Sequence, residues 1–215
     1  MKSKRIIMSL VGVIITAISI GAFKYAAFGV DPFQSFMSGI DTLIPIDFGT
    51  LYVVVNAILL LFALVFDRHY IGIATFLNLF LLGYVVEFSQ NMMFLLFPTP
   101  TIGIRIIAFS CGFIALCFGS SLYMTADMGV STYDAIALVC SEKWKLGKFR
   151  IVRISSDLLC IAIGIGMFLI GGGSASSISA FVNIGTILTA FCMGPLIDYF
   201  NRKISAPLLH KYTLA

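Results

Sequence analysis

Apolar runs broken by short polar or glycine-rich stretches divide the chain into membrane-length pieces. The runs at about 6–27, 50–66, 70–88, 104–126, 150–170 and 178–200 predict six membrane spans, at roughly 1.5 Å per residue across a hydrocarbon core of about 30 Å. Asp67-Arg68-His69, Ser89-Gln90-Asn91, Pro98-Thr99-Pro100 and Gly171-Gly172-Gly173-Ser174 mark arrivals at water or turns. Two other segments, about 32–43 and 132–142, are too short to cross and predict re-entrant or interfacial helices. The first has Asp31 as a favoured N-cap, Pro32 at the first helical position, Gln34 at capping-box spacing, and Ile44-Pro45 to close it. Ser131 and Asp134 repeat the same spacing in the second.

These two helix starts belong to a longer duplication. Gly29-Val30-Asp31-Pro32-Phe33-Gln34-Ser35 returns one hundred residues later as Gly129-Val130-Ser131-Thr132-Tyr133-Asp134-Ala135. The register extends to Ile6 and Ile106, Gly12 and Gly112, and Ala26 and Ala126; late in each half Ile73-Ala74-Thr75 matches Ile184-Gly185-Thr186. Residues 1–100 read as one membrane repeat, 101–203 as a second and 204–215 as a short cytoplasmic tail. Three spans per half is an odd number, so the second repeat enters the membrane inverted. The expected fold is therefore all-α, a polytopic membrane protein of six transmembrane helices plus two short re-entrant or interfacial ones, built as two inverted three-span repeats. Such layouts suit alternating access, because one half can rock against the other around a site near the midplane.

Composition agrees, since 60% of residues are apolar, 11% are charged, and the mean hydropathy is +1.04, which excludes a soluble domain. The formal charge of +4 matters less than its distribution. With a cytoplasmic N-terminus, Lys2, Lys4, Arg5, Arg68, Lys143, Lys145, Lys148, Arg150, Arg153, Arg202, Lys203 and Lys211 fall inside, and only Lys24 and Arg105 outside. Both termini are thus expected in the cytoplasm, and the basic residues are assigned to orientation and membrane lipids rather than nucleic acid. Lys2, Lys4 and Arg5 before an apolar run have the outline of a signal peptide, but no small-residue cleavage site follows, so the run is kept as the first span. The five cysteines lack CxxC spacing and nearby histidines and read as small apolar residues.

The segments GVDPFQSFMSGI and GVSTYDAIAL, each after a glycine-bearing first helix, together with the late GPLIDYF, resemble the YczE/YyaS/YitT family of small bacterial integral membrane proteins over essentially the whole chain. The resemblance implies a multi-span protein of the bacterial plasma membrane, some of whose relatives are proposed as drug or metabolite exporters, and it supplies no catalytic residues. The chain stops soon after Arg202-Lys203, without the soluble C-terminal domain of YitT-like members, which favours the YczE-like branch.

Ionisable and polar groups at membrane depth are the candidates for substrate and ion handling. Asp31, Gln34, Asn56, Ser131, Tyr133 and Asp134 are assigned to a small-molecule substrate, and Asp157, Arg153 and Asp127 to ion coupling. Asn56 and Asp157 match at an offset of 101, each about two turns into the span after its motif helix. Each has a plainer reading: Asp31, Ser131, Gln34 and Asp134 as caps, Arg153 and Asp157 as a structural pair four residues apart. Lys24 is read as snorkelling or as a neighbour of Asp31; Glu87 and Asp198 rank second. No HExxH, Walker loop or GxSxG occurs, so no enzyme, metal or cofactor is expected, and transport would draw on an ion gradient or on the solute's own. The leading expectation is a secondary transporter of small molecules, an exporter being one form. The alternatives are a lipid flippase or a non-transporting accessory that docks a cytoplasmic enzyme through Lys143, Lys145 and Lys148; a homodimer is allowed for.

Overall fold

A computed structural model describes residues 2–29, 31–44, 48–180 and 182–211. Val30 of the first motif, the helix-closing Pro45 and the end of the tail at 212–215 lie outside the described residues. Ten α-helices carry the described chain, with short 3-10 and π turns between them and no strand among the described residues: α1 (Lys2–Ala26), α2 (Pro32–Asp41), α3 (Phe48–Phe66), α4 (Ile73–Phe80), α5 (Leu82–Leu96), α6 (Ile102–Ala126), α7 (Thr132–Leu138), α8 (Phe149–Ile170), α9 (Ile184–Phe200) and α10 (Ala206–Lys211). Three of them, α1, α6 and α8, are long and apolar enough to cross a membrane, and α4 with α5 would make a fourth.

Two predicted spans change shape. The run at 70–88 is two helices bent by 47°, extending to Leu96. α4 is tied at its start to the α6–α7 connection, where the Ala74 amide donates to the Met128 carbonyl at 3.0 Å, while α5 packs along α1. These two anchors pull the run in different directions. The run at 178–200 becomes a helix only from Ile184, because Asn183 caps it and forms a capping box with Thr186.

α1 and α6 form the central pair. They approach closely because glycines lie at the crossing: a Cβ on Gly12 would stand 2.7 Å from the Gly119 carbonyl oxygen, and one on Gly112 3.2 Å from the Ser19 carbonyl oxygen. Around this pair the short motif helices are exchanged, α2 packing on α8 and α7 on α3. Gly39 and Gly164 let α2 and α8 touch backbone to backbone. Both central helices end alike, with Ala27 (φ 52°) and Asp127 (φ 55°) left-handed and Gly29 (φ 104°) and Gly129 (φ 98°) two residues on. Arg105 donates to the carbonyls of Ala26 and Ala27 at 2.6 and 2.9 Å, closing the end of α1. Arg5 meets the Asp127 carboxylate at 3.3 Å at the end of α6.

Candidate functional site

The two motif helices begin at the same place. Asp31 Oδ1 accepts the amides of Phe33 and Gln34 at 3.1 and 3.2 Å, which caps α2, and Ser131 Oγ accepts the Asp134 amide at 3.1 Å, which caps α7. Phe33 and Tyr133, equivalent positions of the two motifs, lie ring on ring with centroids 5.1 Å apart, so the helix starts meet face to face. Tyr52 packs edge-on against Phe33 at 6.1 Å.

Against this junction α8 presents Arg153 and Asp157, which share a face because they are one helical turn apart. Arg153 lies between two carboxylates: its Nε donates to Asp157 Oδ2 at 3.3 Å and its Nη1 to Asp134 Oδ1. Its guanidinium also stacks over the Tyr133 ring at 4.4 Å. The Tyr133 hydroxyl donates to Asp157 Oδ1 at 2.6 Å. Asp134 Oδ2 accepts from Ser131 Oγ at 2.6 Å and from the Tyr123 hydroxyl. Burial is nearly complete, with Arg153 4%, Asp134 3% and Asp157 0% exposed, and ions so desolvated persist only with this density of partners. Asn56 enters from α3: its amide donates to the Tyr52 carbonyl at 2.8 Å, and its oxygen accepts from Thr132 at 2.7 Å. A cavity of about 50 Å³ lies beside it, bordered by Tyr52, Asn78, Ser131 and Thr132.

Most of the predicted residues therefore converge. Asn56, Asp134, Arg153 and Asp157, all buried, come together with half-buried Asp31, Ser131 and Tyr133 in one assembly. Gln34 is half-buried and contributes its capping amide. Arg153, counted above among the inner orienting charges, is instead inside the protein. Asp134 answers the guanidinium as well as its cap, and the pair of Arg153 with Asp157 extends into a network across α6, α7 and α8. Arg153 thus answers two carboxylates, Asp134 and Asp157, while the Asp31 carboxylate is taken up in capping α2. Asp127 is not brought in: it sits 47% exposed at the end of α6, between Arg5 and His69, whose Nε2 is 2.8 Å from its Oδ1. Lys24 is exposed and makes no ion pair with Asp31, and Asp198 pairs with Arg202 at 3.0 Å. Sequence reasoning missed Tyr52, Tyr123 and Thr132. The first was signalled by its place one turn before Asn56, the last by its repeat equivalence to Pro32.

A polar recess of about 420 Å³ opens near the second motif, lined by His69, Tyr70, Asp127, Glu142, Asp198 and Arg202, and reaches Gly129 and Val130 just before Ser131. At its rim the Tyr70 hydroxyl donates to Glu142 at 2.9 Å, and burial together with that carboxylate pushes the phenol up from its ordinary range. Among the described residues no group of three or more His, Cys, Asp or Glu is placed to hold a metal ion.

Residues 3–202 match the family of unknown function DUF6198. The chain belongs to that family. Within curated proteins, this DUF6198 chain is 27% identical over 202 residues to the "Uncharacterized membrane protein YczE" of Bacillus subtilis, covering 93% of this chain and 86% of the relative. It is 24% identical over 135 residues, 63% of its own length and 55% of the relative's, to an "Uncharacterized protein" of Haemophilus influenzae. No solved structure matches. The YczE-like resemblance read from the motifs stands, and the chain is a membrane protein of that kind.

Proposed function

We propose that the protein is a secondary transporter of small molecules in the bacterial plasma membrane, with both termini cytoplasmic and two inverted three-span repeats that alternate access to a site between them. The observation that carries this reading is the junction of the motif helices: two N-termini one hundred residues apart in the chain face each other through Phe33 and Tyr133, beside a buried guanidinium with excess carboxylate. Discontinuous helices meeting at membrane depth are how many transporters offer polar groups to a solute.

Reciprocal contacts support the repeat. Gly12 packs against Gly119 and Tyr123, and Gly112 against Ser19 and Phe23, each pair being the other displaced by one hundred residues. The Gly185 amide donates to Phe28 at 2.9 Å as Ala74 does to Met128. An interface built from equivalent elements can exist in two related arrangements, one open to each side. α3 and α9, shorter than the three long helices, complete the six spans of this reading. Transport rather than catalysis fits a site of ion pairs and aromatic faces with no activated nucleophile. Asp157 is the preferred coupling acid, since a proton on it would remove one of the two anionic partners of Arg153 and leave the guanidinium to Asp134 alone.

The test uses proteoliposomes carrying a pH-sensitive dye and a panel of cationic, anionic and zwitterionic solutes under an imposed pH gradient. A solute-dependent proton flux that Asp157→Asn abolishes is expected. Solute movement indifferent to both the gradient and Asp157→Asn would remove the coupling role, and no movement of any solute would remove transport. The docking alternative is weakened because Lys143, one of its three lysines, is bonded to the Phe66 carbonyl at the end of α3.

A further inference from the structure

The small cavity beside Asn56 is rich in side-chain oxygen. It holds about 50 Å³ between α3, α4 and α7 and is bordered by Asn56, Thr75, Asn78, Ser131 and Thr132. The hydroxyl protons around it are spent on the protein: Thr132 donates to Asn56 Oδ1 at 2.7 Å, Ser131 to Asp134 Oδ2 at 2.6 Å and Thr75 to the Val130 carbonyl at 2.7 Å. The amides are engaged as well, Asn56 donating to the Tyr52 carbonyl at 2.8 Å and Asn78 to the Ala74 carbonyl at 2.9 Å. What these residues have left to offer is chiefly oxygen lone pairs. The Asn78 side-chain oxygen accepts no hydrogen bond among the described residues.

Charge points the same way. Ser131 joins this wall to Asp134, and Asp134 with Asp157 sets two carboxylates against the one guanidinium of Arg153. One formal negative charge is therefore left over next to the cavity. The N-terminus of α7, whose partial positive charge opposes a cation, has the Asp134 carboxylate in its first turn to offset it. Among the described residues no carboxylate borders the cavity itself, and a divalent ion, which gives up its water reluctantly and takes carboxylates, is poorly served by neutral oxygens alone. A water needs about 10–15 Å³ of such space, so the cavity has room for one largely dehydrated ion and little else. We infer that it binds a monovalent alkali cation, sodium or potassium, through the side-chain oxygens of Asn56, Asn78 and Thr132. An ion held here balances the buried charge and braces α3, α4 and α7 against one another, whether or not the protein moves a solute.

Full-length protein purified in detergent and dialysed into choline chloride tests this, melted while sodium, potassium or lithium chloride replaces choline chloride at constant ionic strength. A saturable rise in melting temperature with sodium or potassium is expected, and the one that half-saturates at the lower concentration is the ion. The amide of Asn78 bonds to a carbonyl of its own helix, so replacing it removes no bond between helices. Asn78→Ala should raise the half-saturating concentration about tenfold, the scale on which a metal site loses affinity when a supporting partner goes, and Asn78→Asp should lower it and admit calcium. Asp127→Asn, at the exposed pair, should leave the titration unchanged. Binding of radioactive sodium, or of rubidium in place of potassium, should follow the melts across the same variants. Equal melting in every salt, which would leave the cavity to water, or a titration that Asn78→Ala does not move, which would put the ion elsewhere, overturns the inference.

Discussion

Replacing Arg153 by Gln is the sharpest test of the buried network. The side chain is 5% exposed and answers two carboxylates that are 4% and 0% exposed, so the substitution leaves Asp134 and Asp157 buried with hydroxyl partners but no cation. Breaking a buried pair from one side costs about 3–5 kcal/mol, because the remaining charge is neither solvated nor balanced. On the scale of a chain of this size that is a fall in melting temperature of about 6–20 °C. Neutralising both acids should undo most of the loss, since Asp134→Asn and Asp157→Asn can still accept from Tyr123, Ser131 and Tyr133. The assay heats detergent-purified protein and measures recovered monomer by size exclusion, for the parent, Arg153→Gln and the triple variant. A single variant melting within about 2 °C of the parent, or a triple variant no more stable than the single, refutes the claim that the guanidinium is held by these acids.

Three other expectations follow from the geometry. A Cβ on Gly39 would overlap the backbone of Gly164, whereas one on Gly83 meets nothing within 4 Å; Gly39→Ala should destabilise by about 1–3 kcal/mol and Gly83→Ala should stabilise by up to about 1 kcal/mol, read in the same melts. Tyr133→Phe removes the 2.6 Å bond to Asp157 while keeping the ring under Arg153, and should cost about 1–3 kcal/mol; a neutral result would mean that water replaces the hydroxyl. Asp127→Asn, at an exposed pair, should change stability by less than about 1 kcal/mol, against a much larger loss for Asp134→Asn alone; equal losses would contradict the placement of these two acids.

The motif helices were legible because their starts are local: Asp31-Pro32 and Ser131 carry cap chemistry in side chains adjacent to the amides they satisfy. The meeting of Phe33 with Tyr133 was signalled by their equivalent places in two motifs at a constant offset. Placing Arg153 beside Asp157 required only the helical period, but Asp134 as its second partner could not be read, since that contact depends on how α7 approaches α8. The bend between α4 and α5 was hidden for the same reason. No proline or polar residue marks Leu81 or Leu82, and the change of direction comes from anchors on α6 and α1 far along the chain. The start of α9 was the more avoidable miss, because Asn183 and Thr186 spell a capping box that the surrounding apolar residues obscured.

The ends of α1 and α6 are secured by unlike fastenings at equivalent positions. Where Asp127 meets Arg5 in an exposed ion pair, Ala27 offers Arg105 only its main chain. Exposed ionic contacts weaken as electrolyte is added, whereas a guanidinium docked on carbonyl oxygens has no anionic side chain for counter-ions to screen. Raising ionic strength should therefore loosen the end of α6 more than the end of α1.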